Sequence, residues 1–175
     1  KIEYVKIFRK IVFKRMEKDG IMVMTSQPST GSLQEAVQKI KEQGYSHIIG
    51  LPIATGLSST MNGMKLACDM LEMPVTLVDT KGTASNQKYL VEVAAKLAGE
   101  GKSPEEIKEI LEKLVEDSAT IIMVPNLEHL KKGGRITPAV ATLAGLLKIV
   151  PIMKLNYDLG GKIDTFGKVR TAKKA

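Results

Sequence analysis

Between residues 21 and 124 short apolar runs alternate with amphipathic helical segments, and this rhythm restricts the fold more than any other feature of the 175-residue chain. Parallel strands need long crossover connections, usually helices, so strand-helix-strand-helix order points to an α/β layer. The apolar run Ile21–Met24 leads into the turn-rich Thr25-Ser26-Gln27-Pro28-Ser29-Thr30-Gly31, after which Ser32 and Glu35 have the spacing of a capping box that opens a helix to about Glu42. Strands are expected over 46–53, 75–78 and 120–124, and helices over 58–70 and 85–97. Ser103, Pro104 and Glu106 form a strong helix start, followed by Ile107, Ile110, Leu111, Leu114 and Val115 on one face. A short helix over 127–132 stops at Gly133-Gly134, and a Pro-started helix is expected from Thr137 to Lys148. Before residue 20, Val5, Phe8, Val12 and Met16 predict a basic amphipathic helix over 2–16. Segments 149–155 and 162–169 read as strands around the turn Asp158-Leu159-Gly160-Gly161, which breaks the alternation. A second domain beginning near residue 148 accounts for the break. The expected fold class is α/β, with a largely parallel sheet flanked by helices and the start of a second α+β domain.

Composition removes whole classes of function. With 43% apolar and 26% charged residues the chain can build a core, unlike a disordered or fibrous sequence. Its single cysteine, Cys68, excludes an internal disulfide and reads as a small buried hydrophobe, which makes a reducing cytoplasm the expected setting. Apolar stretches such as Ile48–Leu57 are broken by Gly and Pro, so no membrane span is expected. Because the first residue is Lys1, a signal segment could still lie upstream. The net charge of +7 resides at the two ends. Residues 1–20 hold seven basic and three acidic side chains, residues 161–175 hold five and one, and the 140 residues between hold 14 and 15. With aromatics at 4% and no Trp, solvated ends explain this better than a nucleic-acid surface does.

Ligands of open α/β sheets bind at the carboxyl ends of strands. The turn Thr55-Gly56-Leu57-Ser58-Ser59-Thr60 is the most informative of those positions. A helix N-terminus carries unpaired N–H groups and a positive dipole end, and a hydroxyl adds another donor for an anion. Ser58 and Ser59 stand at such a terminus, although simple N-capping is the commoner role for a serine there. Thr25 and Ser26, also just past an apolar run, are either turn formers or contributors to the same anion site. Asp79, at a strand end, reads as a turn cap first and as an acid or ligand contact second. His47 and His129 have no ligating neighbour at metal spacing and read as structural. No P-loop, GxGxxG fingerprint, nucleophile elbow, paired carboxylates or metal cluster is present. The pattern is that of a binder more than of a catalyst. The competing expectation is an enzyme acting on a small phosphorylated or carboxylated metabolite at the same helix-end anion site.

Six blocks, in order, resemble the signature segments of the DegV family, the bacterial fatty-acid-binding proteins that serve as acyl-carrying subunits of fatty acid kinase. They are Thr25-Ser26-Gln27-Pro28-Ser29, Leu51-Pro52-Ile53-Ala54-Thr55-Gly56-Leu57-Ser58-Ser59-Thr60, Val78-Asp79-Thr80, Leu130-Lys131-Lys132-Gly133-Gly134-Arg135-Ile136, Leu146-Leu147-Lys148-Ile149-Val150-Pro151-Ile152 and Gly167-Lys168-Val169-Arg170-Thr171. The resemblance implies two domains, 1–147 as the DegV-type α/β unit and 148–175 as the beginning of a second, lipid-binding one. A long-chain fatty acid would lie with its carboxylate between them, held by Thr25 and Ser58. Arg135, Arg170, Thr55 and Ser59 would lie at the pocket mouth or at a partner contact. No cofactor or metal is implied. The chain is expected to be a non-catalytic, cytoplasmic binding subunit, monomeric by default, that hands its acyl chain to a separate ATP-dependent kinase subunit for acyl phosphate formation in phospholipid synthesis. It departs from the family at Ser59, where Gly is usual, and at Ala54 and Thr55, where Ser is usual. The family's N-terminal strand with Asp-Ser-Thr has no counterpart, and its C-terminal His would fall beyond Ala175, so a partial chain is expected. Burying about fourteen methylenes at ~0.8 kcal/mol each gives roughly 11 kcal/mol before association costs, against about 1.5–3 kcal/mol for a charge-assisted hydrogen bond. The tail should therefore dominate affinity while Thr25 and Ser58 set orientation.

Overall fold

A computed structural model describes residues 11–12, 14–16, 18–21, 23–123, 127–142 and 150–170. Of the helix expected over 2–16, residues 11–12 and 14–16 are helical, as are 18–19; the rest lies outside the described residues. Six named helices and five strands follow. They run α1 (Thr30–Glu42), β1 (Ile48–Gly50), α2 (Thr60–Met70), β2 (Val75–Leu77), α3 (Ala84–Gly99), α4 (Pro104–Glu116), β3 (Ala119–Met123), α5 (Glu128–Gly133), α6 (Pro138–Ala141), β4 (Val150–Asn156) and β5 (Asp164–Val169).

The local signals are realised with two corrections. Helix α1 begins two residues before Ser32, and its N-cap is Ser29, in extended conformation with its hydroxyl accepting the Ser32 N–H at 3.2 Å. Ser29 has the extended conformation an N-cap requires (φ −66°, ψ 152°), whereas Ser32 lies within the first turn. Residues 21, 23 and 24 form no strand and are exposed. By contrast α4 starts as expected. The Ser103 hydroxyl accepts the Glu106 N–H at 3.2 Å, the Glu106 carboxylate accepts the Ser103 N–H at 2.9 Å, and Pro104 fills the first turn. Ser103→Ala should cost about 1 kcal/mol, read as a lower urea midpoint at unchanged slope.

The α/β class holds, but the strands are not largely parallel. Among the described residues β1 and β2 pair in parallel, with Ile48 opposite Val75 and Gly50 opposite Leu77, while β3, β4 and β5 form an antiparallel sheet in that order. The reason lies in the connection from β2 to β3. One helix returns the chain to the starting edge for a parallel strand, but two successive helices, α3 and α4, joined by a short loop, undo that return. β3 thus leaves the β1–β2 layer and pairs with β4, Ala119 opposite Asn156 and Met123 opposite Ile152. The second sheet thereby straddles residue 148. The helix expected over 137–148 is described through Ala141, and the remainder lies outside the described residues.

Three apolar clusters hold these layers. Val78 at the end of β2 packs with Leu90 and Ala94 of α3 and Ile107, Leu111 and Val115 of α4. Val37 of α1 meets Ala67 and Cys68 of α2 and Met73. Cys68 is buried as expected, and burial pushes its thiol up, away from the reactive thiolate. The third cluster joins Ala54, in the loop after β1, to Leu127, Val140, Met153, Leu155 and Ile163. Through Ala54, the antiparallel sheet is packed onto the carboxyl end of the parallel pair.

Candidate functional site

The loops that leave β1 and β2 are tied to each other before either reaches a helix. The Ala54 N–H donates to the Gly82 carbonyl at 3.0 Å, and the fully buried Thr80 hydroxyl lies 2.8 Å from the Pro52 carbonyl it donates to. Asp79 completes the tie. One of its carboxylate oxygens accepts the N–H groups of Thr55 and Lys81, each at 3.1 Å, and the other accepts the Thr55 hydroxyl and pairs with the Lys81 ammonium at 2.8 Å. Burial pushes the Asp79 carboxyl up, but the side-chain bonds from Lys81 and Thr55 and the two backbone N–H groups outweigh it and hold the acid below its ordinary value. Lys81 sits at φ 44°, a left-handed conformation costing a side-chain-bearing residue on the order of 1 kcal/mol, which the four bonds to Asp79 offset.

The turn between β4 and β5 rests on this junction. At Gly56 a Cβ would stand 2.8 Å from the Lys162 nitrogen and closer still to the Gly161 carbonyl group. At Gly161, which has φ 72°, a Cβ would stand 2.8 Å from Ala54 Cβ and 3.4 Å from Lys81 Cδ. Two glycines therefore bring three chain segments together at a spacing no side chain fits.

Helix α2 opens from this loop. Leu57 and Ser58 both donate to the Ala54 carbonyl, at 2.9 and 3.2 Å, and close the turn that aims Ser58 at the helix start. Ser59 is the N-cap residue, but its side chain makes no capping bond. The Ser58 hydroxyl instead lies 2.8 Å from the Thr60 hydroxyl and accepts the Thr60 N–H at a long 3.3 Å. Ser58 supplies one weak cap bond, while the N–H groups of Ser59, Met61 and Asn62 have no protein acceptor among the described residues. Arg135, following the left-handed Gly134 that ends α5, lays its guanidinium against this turn; Nε donates to the Leu57 carbonyl at 3.3 Å and another nitrogen to that of Gly133. An isoleucine bridge from Ile136 to Ile163 fixes the Arg135 segment to the second sheet. The arrangement is a positive helix end with free donors and an adjacent tethered cation, suited to a carboxylate or phosphate.

The model of an uncharacterised protein family, DegV, matches residues 2–175. This chain belongs to the DegV family. A DegV domain-containing protein of Streptococcus pneumoniae is 32% identical over 175 residues, covering 99% of this chain and 61% of that protein. Among solved structures, a DegV family protein from Thermus thermophilus, described as binding fatty acid, superposes with a TM-score of 0.80 at 32% identity, covering 98% of this chain and 58% of that one. A DegV lipid-binding protein from Thermotoga maritima gives a TM-score of 0.83 at 28% identity, with 99% and 58% covered. The chain thus spans about six-tenths of the length of these DegV relatives.

Within the DegV fold the six expected site residues fall into three groups. Thr55, Ser58, Ser59 and Arg135 come together around the start of α2. Thr25 is exposed in the irregular segment before α1, two residues from Gln27, whose amide nitrogen lies 4.0 Å from where a Cβ on Gly63 of α2 would stand, so that segment runs beside the first turns of α2. Arg170 is exposed just past β5, at the end of the hairpin opposite the turn that meets Gly56. At ~3.3 Å per residue its strand carries it roughly 20 Å from that turn. Two residues of the junction, Lys81 and Gly161, belong to turns visible in the sequence but are given no role in the site there, because each matters only where separate loops meet. His47 is structural, its Nε2 2.9 Å from the Thr76 hydroxyl of the neighbouring strand. The side chain of His129 lies outside the described residues. Among the described residues no group of three metal-competent side chains occurs, and no helix is long and apolar enough to cross a membrane.

Proposed function

We propose that this chain belongs to a protein that binds a long-chain fatty acid, with the carboxylate at the start of α2, and presents it to a separate ATP-dependent kinase subunit for acyl phosphate formation. The observation that carries the reading is the set of N–H groups at Ser59, Met61 and Asn62, without a protein acceptor among the described residues, beside the Ser58 hydroxyl and the tethered Arg135. Ser58 and Thr25 hold the carboxylate, and Arg135 compensates its charge and the larger charge of the acyl phosphate. Thr55 and Ser59 shape the loop. Arg170, remote from that centre, serves partner docking. The proposed organisation is a DegV-type unit over 1–147 and the beginning of a lipid-binding unit over 148–175, with β3 crossing between them. The kinase's nucleotide chemistry belongs to the partner, the protein is a cytoplasmic monomer, and the acyl chain is its ligand, without cofactor.

Support comes from the relatives described as binding fatty acid and from the chemistry of the helix end. Solvent extraction and mass spectrometry of the purified protein should find a copurified fatty acid; a protein devoid of lipid and unable to take any up would sink the reading. Ser58→Ala should weaken acyl retention about tenfold or more, in line with a bond to a charged group, while the melting temperature stays nearly constant. Equal retention by the variant would remove Ser58 from the site.

A further inference from the structure

Asp79 is charged, shielded and close to a site meant for an anion, which is an odd place for a carboxylate. Its side chain is 14% exposed and that of Lys81 23%. Both oxygens are committed to Thr55 and Lys81, so the acid has no free lone pair aimed at a ligand, and its charge is balanced by the ammonium. What the carboxylate does control is the loop. Thr55 lies three residues before Ser58, and the turn between them is closed on Ala54, itself bonded to Gly82 in the β2 loop. Movement of the Thr55 peptide is therefore passed on to Ser58 and to the first N–H groups of α2.

We propose that Asp79 is the positioning residue of the anion site, fixing the Thr55 peptide and hydroxyl so that Ser58 and the α2 N–H groups converge on the ligand's carboxylate. The inference rests on the reading of the site given above. It also assigns Thr55 its part: the hydroxyl is spent on Asp79 and not on the ligand.

Binding of hexadecanoic acid and of hexadecanol, which share the tail and differ in the head group, separates positioning from mere stability. A stability effect weakens both equally, whereas a positioning effect lowers the preference for the acid. Thr55→Val and Asp79→Asn should each reduce that preference about tenfold. The two effects should be less than additive in the double variant, because Thr55 and Asp79 act through one shared contact. Thr55→Ser, which restores the hydroxyl, should behave like the native protein. Should Asp79→Asn fold poorly, Thr55→Val alone decides the matter. Variants that lose acid and alcohol equally would overturn the inference and leave the fatty-acid reading standing. An acid preference that rises in Asp79→Asn would overturn it too, since the freed Lys81 would then be acting by charge. A native protein with no preference for the acid would overturn the reading of the site and this inference with it.

Discussion

Gly56→Val should lower the unfolding free energy by about 3 kcal/mol or more and abolish fatty-acid binding, although position 56 touches no apolar core residue through a side chain of its own. A Cβ there meets the Gly161 carbonyl group and the Lys162 nitrogen, all backbone atoms that cannot rotate aside. Forcing atoms into a filled space typically costs about 1–3 kcal/mol, and more where backbone must move. The hairpin turn must lift from the loop, taking with it the seat of Ala54 and Lys81. Urea unfolding measures the loss, and amide exchange localises it to 54–58 and 156–162. Gly31→Ala is the control, because nothing lies within 4 Å of a Cβ there and replacing a helical glycine should stabilise the protein by up to about 1 kcal/mol rather than weaken it. A Gly56→Val protein as stable as the native one would mean that the turn does not rest on the loop.

Leu111→Ala should cost about 2–5 kcal/mol, the range for emptying a fully buried leucine site. Leu111 has no exposed surface and sits at the middle of the cluster formed by Val78, Leu90, Ala94, Ile107 and Val115, where two helices and the end of β2 meet. Those neighbours come from three elements already in close contact, so the surroundings have little room to collapse. The measurement is again the urea midpoint at constant slope. A loss below about 1 kcal/mol would show α4 to be loosely packed. Because the cluster lies apart from the start of α2, variant protein that remains folded should bind fatty acid normally. Gly56→Val and Leu111→Ala thus separate two ways of losing function, one through the site and one through the fold.

Sequence is legible where the physics is local. The α4 start can be read because Ser103, Pro104 and Glu106 act on one another within a single turn. The α1 start falls a few residues from its expected place because Ser29 and Ser32 offer the same hydroxyl, and only the conformation after Pro28 chooses between them. The parallel sheet is overextended in the sequence reading because strand pairing depends on where α3 and α4 deliver the chain, and nothing within Thr120-Ile121-Ile122 names its partner. Ser58 is recognisable as a helix-end hydroxyl from its own turn. Arg135 can be placed near it only by resemblance, since Leu57 and Arg135 stand 78 positions apart with no local pattern to join them; the guanidinium bond to the Leu57 carbonyl is visible only once folded. Asp79 reads as a turn cap, and it is one, for its own turn at the Lys81 N–H and for the loop of another strand at Thr55.

The contact between Gly56 and the 161–162 turn joins positions more than one hundred residues apart, and this sets an order of events. Contacts so distant in sequence form late, after the loop between them has been closed by nearer ones. On the ribosome the loop after β1 emerges, and α2 with it, long before residue 161 exists. During that interval the turn that opens α2 has its own residues but not the surface against which it is set. In the proposed function, acyl loading therefore belongs to the finished fold, and a nascent chain stalled before the β4–β5 turn should carry no ligand.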